Sequence, residues 1–327
     1  MKTIENSDQQ YLQKLESIDF QPVFILGLHR SGTSILYKML TATGCFNPVT
    51  AYHLIRYDQL LTNHINGQEE SSKKELTESF QEKGLKDRGI DKLKITADFA
   101  EEYGFLLGQK TILMNITPKN LLLFTEMAKK IQFISENKKP ILLKNPYDLP
   151  NFLYIKQEFP NAKFVFIHRH PLKTLSSNIS AVDLLLKNKN PYTTQLFRLY
   201  NKLFENPLLL VASRFCFSKF KVFGTVFLTV ISSRSTKYYL KNIEKLPKQD
   251  YISITYEALC ENPQENMAKI IKSLDIKTDK EIDFTSFIKP RKLELDPNVV
   301  KWKKFIFKFM GKYVKYFGYT PDDISNY

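Results

Sequence analysis

Residues 23–34 read Val-Phe-Ile-Leu-Gly-Leu-His-Arg-Ser-Gly-Thr-Ser, and this stretch decides the fold. Its first four residues are apolar and predict a short buried strand. Apolar residues then recur at helical spacing, at Ile35, Leu36, Met39 and Leu40. The stretch therefore predicts a strand, a turn around Gly32 and a helix, in that order.

Three later apolar runs have the same character. They cover residues 141–143, 164–167 and 251–255, and the last two lead through a turn into a helix-periodic segment. Short apolar strands that alternate with helices are typical of a parallel sheet covered on both faces. We therefore expect an α/β fold in which helices flank a parallel sheet.

The composition indicates one elaborated domain. The chain has 327 residues, of which 43% are hydrophobic and 25% are charged, and we expect a single domain over residues 1–327. Three segments stand out within this domain, and the first two look added to its core. They are a polar helical excursion at about 66–94, an aromatic and basic segment at about 187–237, and a basic aromatic helix at about 299–317.

The charge and the cysteines restrict the setting. Forty-eight basic against 34 acidic residues give a net charge of +14, which favours polyanionic partners. Cys45, Cys216 and Cys260 are too far apart for a disulfide framework or a zinc site, so we expect a reducing compartment. The polar first twenty residues do not resemble a secretory signal, and the apolar run 222–233 is too short to cross a bilayer. We expect a cytoplasmic protein and leave peripheral membrane contact open.

The turn at residues 27–34 has the chemistry of an anion site. Gly32 lets the backbone approach a ligand, the N–H groups of residues 31–34 lack helical partners, and Arg30, Ser31, Thr33 and Ser34 add donors. The P-loop of nucleoside triphosphatases places a Lys after its last glycine and uses magnesium, whereas here the cation precedes the glycine. This difference disfavours an ATP-dependent kinase and predicts a site without metal.

Two motifs resemble those of the sulfotransferase family. Residues 30–34 resemble its 5′-phosphosulfate loop, and residues 164–171 followed by Ser177 resemble its 3′-phosphate motif. The resemblance extends from about residue 22 to residue 319 and implies the family's fold, related to P-loop proteins, and its donor, 3′-phosphoadenosine 5′-phosphosulfate (PAPS). It also implies that Arg169 and Ser177 hold the 3′-phosphate and that Tyr256 lines the adenine pocket. His170 departs from the family, which usually has Asp or Asn there.

Sulfuryl transfer to a hydroxyl group needs a base and a cation for the leaving group. We assign the leaving group to Arg30, the backbone of residues 31–34 and Lys144. His53 is the first candidate for the base because it stands where many bacterial members have Glu, and Asp148 is the second. The acceptor hydroxyl belongs to an unidentified small molecule, glycan or lipid.

Alternative functions from other classes stay open at this point. The chain could be a metal-independent, kinase-like nucleotide-binding protein, or a non-catalytic basic module that docks on an anionic membrane through residues 204–231 and 301–319. Nucleic acid is not an expected partner, because the known recognition motifs are absent from the sequence. The sequence gives no indication of the oligomeric state.

Overall fold

The computed structural model describes residues 6–85, 95–278, 280–288 and 294–320. Its centre is a five-stranded sheet with the strand order β2-β3-β1-β4-β5, in which every neighbouring pair is parallel. The strands are β1 (Pro22–Leu26), β2 (Asn47–Pro48), β3 (Ile141–Lys144), β4 (Lys163–His168) and β5 (Tyr251–Thr255). The predicted α/β fold with a parallel sheet flanked by helices is confirmed. The edge strand β2 was not predicted, because its two residues form no apolar run.

Strand β1 is fully buried at the middle of the sheet because it packs on both faces. Val23 and Ile25 belong to one apolar cluster, whereas Phe24 and Leu26 belong to the other. This alternation follows from the period of two residues in a strand. Since β3 and β4 lie on either side of β1, the loops that leave these three strands meet at one edge, where open α/β sheets bind ligands.

Sixteen α-helices cover the described residues. The first eight are α1 (Thr33–Ala42), α2 (Ala51–Ile55), α3 (Leu60–Ile65), α4 (Glu69–Glu82), α5 (Gly104–Thr111), α6 (Leu121–Ile134), α7 (Phe152–Glu158) and α8 (Pro171–Lys187). The others are α9 (Pro191–Leu196), α10 (Arg198–Glu205), α11 (Pro207–Arg214), α12 (Lys221–Asn242), α13 (Tyr256–Glu261), α14 (Pro263–Ser273), α15 (Pro297–Lys301) and α16 (Lys303–Tyr316). A π-helical turn, Phe215–Lys219, joins α11 to α12, and the 3-10 helix Pro146–Asn151 follows β3.

The three segments that stand out in the sequence all contain helices. Helix α4 lies within the predicted polar excursion, but its Leu76 and Phe80 are buried in the larger core cluster, while residues 86–94 of that prediction lie outside the described residues. Residues 187–237 contain α9–α11 and most of α12, and the predicted C-terminal helix is divided into α15 and α16 at Trp302.

Within the described part of the chain, no single helix is long and apolar enough to cross a membrane. The segments Pro207–Lys219 and Lys221–Lys245 meet the length and composition criteria only as a pair, and they are bent by 89° at Phe220.

Candidate functional site

The loop between β1 and α1 has two residues in left-handed conformation. Arg30 has a φ of 69° and Gly32 a φ of 103°. A Cβ atom at Gly32 would lie 2.3 Å from Cδ2 of Tyr256, so only glycine fits there. Ser31 is buried, and its Oγ has no hydrogen-bond partner among the described residues. A buried hydroxyl of this kind usually has a partner, and a ligand in the loop would supply one.

The second predicted anion motif lies directly beside this loop. Arg169 follows β4 and donates from Nη1 to the carbonyl oxygen of Arg30 at 3.1 Å. Arg30 in turn donates from Nε to Oγ of Ser177 on α8 at 3.0 Å. The structure therefore brings the two motifs together, and Arg30 of the first motif contacts both Arg169 and Ser177 of the second. The Arg30 side chain therefore contacts the second motif as well as belonging to the loop of the first.

Tyr256, the first residue of α13 after β5, joins these two motifs. Its ring packs against Gly32, and the guanidinium carbon of Arg169 lies 4.2 Å from the ring centroid. A guanidinium over an aromatic face is held by the negative charge of the π system. Tyr256 thus positions the loop and Arg169 relative to each other, and its contact with adenine stays a prediction.

Lys144 ends β3 next to the start of α1. Its side chain is buried, with Nζ 3.2 Å from Oγ of Ser34 and 3.3 Å from Oε1 of Glu102. The buried ammonium group is therefore held between Ser34 at the start of α1 and the carboxylate of Glu102. Its predicted role at the leaving group stays a prediction.

Two residues that the sequence reasoning missed lie in the same charged cluster. Glu102 pairs with Lys144, and His29 is close enough to Glu102, Arg30 and Lys144 for their charges to act on its pKa. Burial lowers the pKa of His29, and the positive charges of Arg30 and Lys144 lower it further, against the effect of Glu102. His29 was visible inside the loop motif, whereas Glu102 gave no local signal.

Long-range pairing brings Glu102 to the site. The segment before it forms an isolated antiparallel bridge between Thr50 and Ala100, and the N–H of Glu101 donates to the carbonyl oxygen of Val49 at 3.0 Å. These contacts join segments about fifty residues apart in sequence. No motif within either segment predicts them.

His53 lies in a helix cap, and this place weighs against its first rank among the candidate bases. Its Nδ1 accepts the backbone N–H of Thr50 at 3.1 Å, while Thr50 Oγ1 accepts the N–H of His53, so the two residues form the capping box of α2. Burial, followed by the charge of Lys73, lowers the pKa of His53 to about 4. The charges acting on His53 are Lys73 and Glu69 of α4, unlike those acting on His29.

Asp148 is also a structural residue in this fold. Its carboxylate accepts hydrogen bonds from Tyr103 Oη at 2.6 Å, from the N–H of Ile116 at 3.0 Å, and from the amides of Asn145 and Asn151, both at 2.8 Å. Burial raises the pKa of Asp148 to about 6, although these four donors oppose the shift. Because both oxygens are already engaged, the geometry disfavours Asp148 as the base.

The two histidines beside Arg169 are both buried. His168 stacks on Phe317 with ring centroids 4.1 Å apart, and burial lowers its pKa to about 3. The N–H of His170 donates to Glu257 Oε1 at 3.1 Å, and its Nε2 lies 3.0 Å from the carbonyl oxygen of Thr320. The hydroxyl of Tyr319 donates to the other oxygen of Glu257 at 3.1 Å. His170 therefore holds the C-terminal segment against the Arg169 turn.

This edge of a parallel sheet carries a glycine loop and two arginines in contact, in an α/β protein whose sheet edge is the usual place for a ligand. Residues 22–206 match the model of the sulfotransferase family, and since this is more than half of the 327 residues, the chain belongs to the sulfotransferase family. Members of this family are transferases. Sequence comparison with curated proteins finds no match.

Solved structures support the fold assignment. The sulfotransferase STF1 from Mycobacterium tuberculosis H37Rv is 15% identical, with a TM-score of 0.52 over 97% of this chain and 78% of its own. The sulfotransferase STF9 from Mycobacterium avium is 12% identical, with a TM-score of 0.57 over 96% of this chain and 81% of its own. At these identities the likeness shows a shared fold.

Among the described residues, no group of three or more His, Cys, Asp or Glu side chains is arranged to hold a metal ion.

Proposed function

We propose that the protein transfers the sulfuryl group of PAPS to a hydroxyl group of an acceptor. The observation that carries this proposal is the direct contact between the two anion motifs, in which Arg30 accepts from Arg169 and donates to Ser177. A nucleotide with negative groups at both its 5′ and 3′ ends requires two such sites at short range. Family membership narrows the reaction to sulfuryl transfer.

The residues at this edge fit such a ligand. The buried Ser31 hydroxyl lacks a partner among the described residues, and Gly32 leaves the loop without a side chain where a ligand would approach the backbone. Arg30 and Arg169 are forked donors suited to phosphate oxygens. The loop of residues 31–34 would hold the 5′-phosphosulfate, and Arg30, Arg169 and Ser177 would hold the 3′-phosphate.

When bound, PAPS supplies a sulfuryl group whose bond to the 5′-phosphate oxygen breaks as the acceptor oxygen bonds to sulfur. Lys144 and the backbone N–H groups at the start of α1 stabilise the negative charge left on that phosphate oxygen. The short distance from Lys144 Nζ to Ser34 Oγ places the ammonium group at this end of the loop.

Glu102 is our proposed base. Its carboxylate lies 3.3 Å from the Lys144 ammonium group, which contacts Ser34 of the loop, and it would take the proton of the acceptor hydroxyl. His29 is the other group in this cluster able to accept a proton, since its lowered pKa keeps the imidazole neutral near pH 7. His53 and Asp148 are occupied elsewhere in the fold.

The test is incubation of the purified protein with ³⁵S-labelled PAPS and a panel of hydroxyl acceptors that includes phenols, sugars and lipids. We expect label to move to at least one acceptor and 3′-phosphoadenosine 5′-phosphate (PAP) to inhibit the transfer. Calorimetry with PAP is the parallel measurement, and saturable binding that persists in moderate salt is expected. If PAP does not bind, or if ATP binds more tightly, the proposal fails.

A further inference from the structure

The helical segment 207–219 is apolar but has no buried residue. It comprises α11 and the π-helical turn after it, and neither element buries a single side chain. Leu208 is 84% exposed and Val211 is 64% exposed, and Phe215 follows them on the same exposed surface. Large contiguous apolar patches are rare on monomeric proteins and mark sites that something covers.

Helix α12 does not bury a stripe of large aliphatic residues, as an ordinary surface helix would. Its buried positions are small or hydroxyl-bearing, and they include Thr225, Thr229, Ser233 and Thr236. These hydroxyls are satisfied by backbone carbonyls, as when Thr229 Oγ1 donates to the carbonyl oxygen of Thr225 at 2.7 Å.

The outward face of α12 is apolar instead. Phe223, Phe227 and Ile231 are all exposed and recur every four residues, so they form one stripe along the helix. A water-exposed helix has the reverse arrangement, with its apolar stripe toward the core. The stripe on α12 and the exposed residues of segment 207–219 together make the apolar surface of this region.

The charges around this surface are mostly basic, although Lys221 pairs with Asp183 and Asp296. Residues 198–242 contain eight Lys or Arg residues and one acidic residue, Glu205. Helix α16 packs beside α12 and has five lysines and no acidic residue; Ser233 Oγ donates to the carbonyl oxygen of Phe309 at 2.8 Å, and Lys237 Nζ lies 5.7 Å from the Phe309 ring. Two such surfaces would repel each other, whereas an anionic bilayer attracts each of them.

We propose that residues 207–231 dock the protein on the surface of an anionic phospholipid bilayer. The apolar side chains of α11, the π-helical turn and the outward stripe of α12 enter the headgroup boundary, and the surrounding Lys and Arg side chains contact lipid phosphates. The segment 207–219 has 13 residues and spans about 20 Å as a helix, well short of the hydrocarbon core, so docking lies in the interface plane. This proposal is independent of the reaction proposed above.

The experiment is co-sedimentation with sucrose-loaded vesicles made of phosphatidylcholine alone or of equal parts phosphatidylcholine and phosphatidylglycerol. Three proteins are compared, namely the wild type, the double variant L208N/V211N and the matched control Leu122→Asn. Leu122 is 85% exposed on α6, so the control removes an equally exposed leucine from another surface. Melting followed by circular dichroism establishes that all three are folded, as the high exposure of these positions leads us to expect.

The wild type and Leu122→Asn should bind the anionic vesicles equally well and the neutral vesicles more weakly. L208N/V211N should bind anionic vesicles about tenfold more weakly or worse, because two apolar side chains no longer enter the interface. Equal binding of the double variant and the wild type would overturn the proposal, as would wild-type binding that does not depend on phosphatidylglycerol. A wild-type dimer that L208N/V211N dissociates, without vesicle binding, would assign the surface to a second copy of the chain.

Discussion

Arg30 Nε donates to Ser177 Oγ at 3.0 Å, although 147 residues separate the two in sequence. This hydrogen bond joins the loop after the first strand to the helix after the fourth. Because Arg169 also donates to the carbonyl oxygen of Arg30, one residue connects both proposed ends of the donor site. Changes at either end should therefore affect the affinity for the whole nucleotide.

Replacement of Arg169 by alanine should weaken the binding of PAP about tenfold to a hundredfold, since charge-assisted hydrogen bonds are lost. The stacking of Arg169 on Tyr256 is lost as well. Isothermal titration calorimetry with PAP measures the effect. Arg198→Ala removes the same charge from an exposed position on α10 and should leave the affinity within about twofold. Equal losses in both variants would mean that only the net charge attracts the nucleotide.

Glu102→Gln should lower turnover about a hundredfold or more, because a general base is removed. The affinity for PAP should change little. His53→Gln is the control, since Gln at the third helical position can still accept the N–H of Thr50 and so keep the cap of α2. We expect its turnover to stay within a factor of about three of wild type. Both quantities come from initial rates with labelled PAPS and from calorimetry.

A third variant separates the two bases proposed in this cluster. If Glu102→Gln retains its turnover and His29→Asn does not, the imidazole is the base. If instead His53→Gln is inactive while its PAP binding is intact, His53 is the general base.

Gly32→Ala should abolish saturable PAP binding and lower the melting temperature. The new Cβ would lie 2.3 Å from the ring of Tyr256, in a residue with a φ of 103°. Gly84→Ala is the matched control, because Gly84 also has a positive φ, 68°, but nothing lies within 4 Å of its Cβ position. That control should lose about 1 kcal/mol of stability and no affinity. Unchanged PAP binding in Gly32→Ala would show that the loop is not part of the nucleotide site.

His168→Phe should make the protein less sensitive to acid. Burial lowers the pKa of His168 to about 3 in the folded protein, and its Nε2 has no hydrogen-bond partner in the described part of the chain. Its ordinary pKa is near 6.5, so the unfolded chain binds the proton first as the pH falls, and stability is lost between about pH 6.5 and pH 3. By pH 5 the loss is about 2 kcal/mol.

A phenyl ring at position 168 keeps the stacking on Phe317 and cannot be protonated. Urea unfolding at pH 7.5 and pH 5 measures the difference between the two proteins. If the free energy of unfolding falls by the same amount in His168→Phe as in wild type, the acid sensitivity belongs to other groups.

The sequence predicted the central part of the fold and the turn around Gly32 because both depend on local patterns. Four apolar runs marked four of the five strands, and the loop at Gly32 was recognisable from its residues alone. It also pointed to Arg169 and Ser177. In the structure both residues contact Arg30, since Arg169 donates to its carbonyl oxygen and Ser177 Oγ accepts from its Nε. These features need only the order of residues within short segments.

The candidate base could not be found in that way. Glu102 reaches Lys144 only because its segment pairs with Thr50 and Val49, and no short pattern encodes this pairing. His53 matched a position in a family pattern, but the same residue spacing from Thr50 also makes a capping box, and the cap is what forms. Likewise, Asp148 gave no sign in the sequence of the four donors that surround it.

Glu257 receives the backbone of His170 on one oxygen and the hydroxyl of Tyr319 on the other. The turn that carries Arg169 is thus held in place by the C-terminal segment, which is synthesised about 150 residues later. During translation this turn must wait for the C-terminal segment, so nucleotide should bind only after synthesis is nearly finished. A fragment that ends at residue 206, where the family match ends, would lack both Glu257 and Tyr319 and so would lose these contacts to the turn.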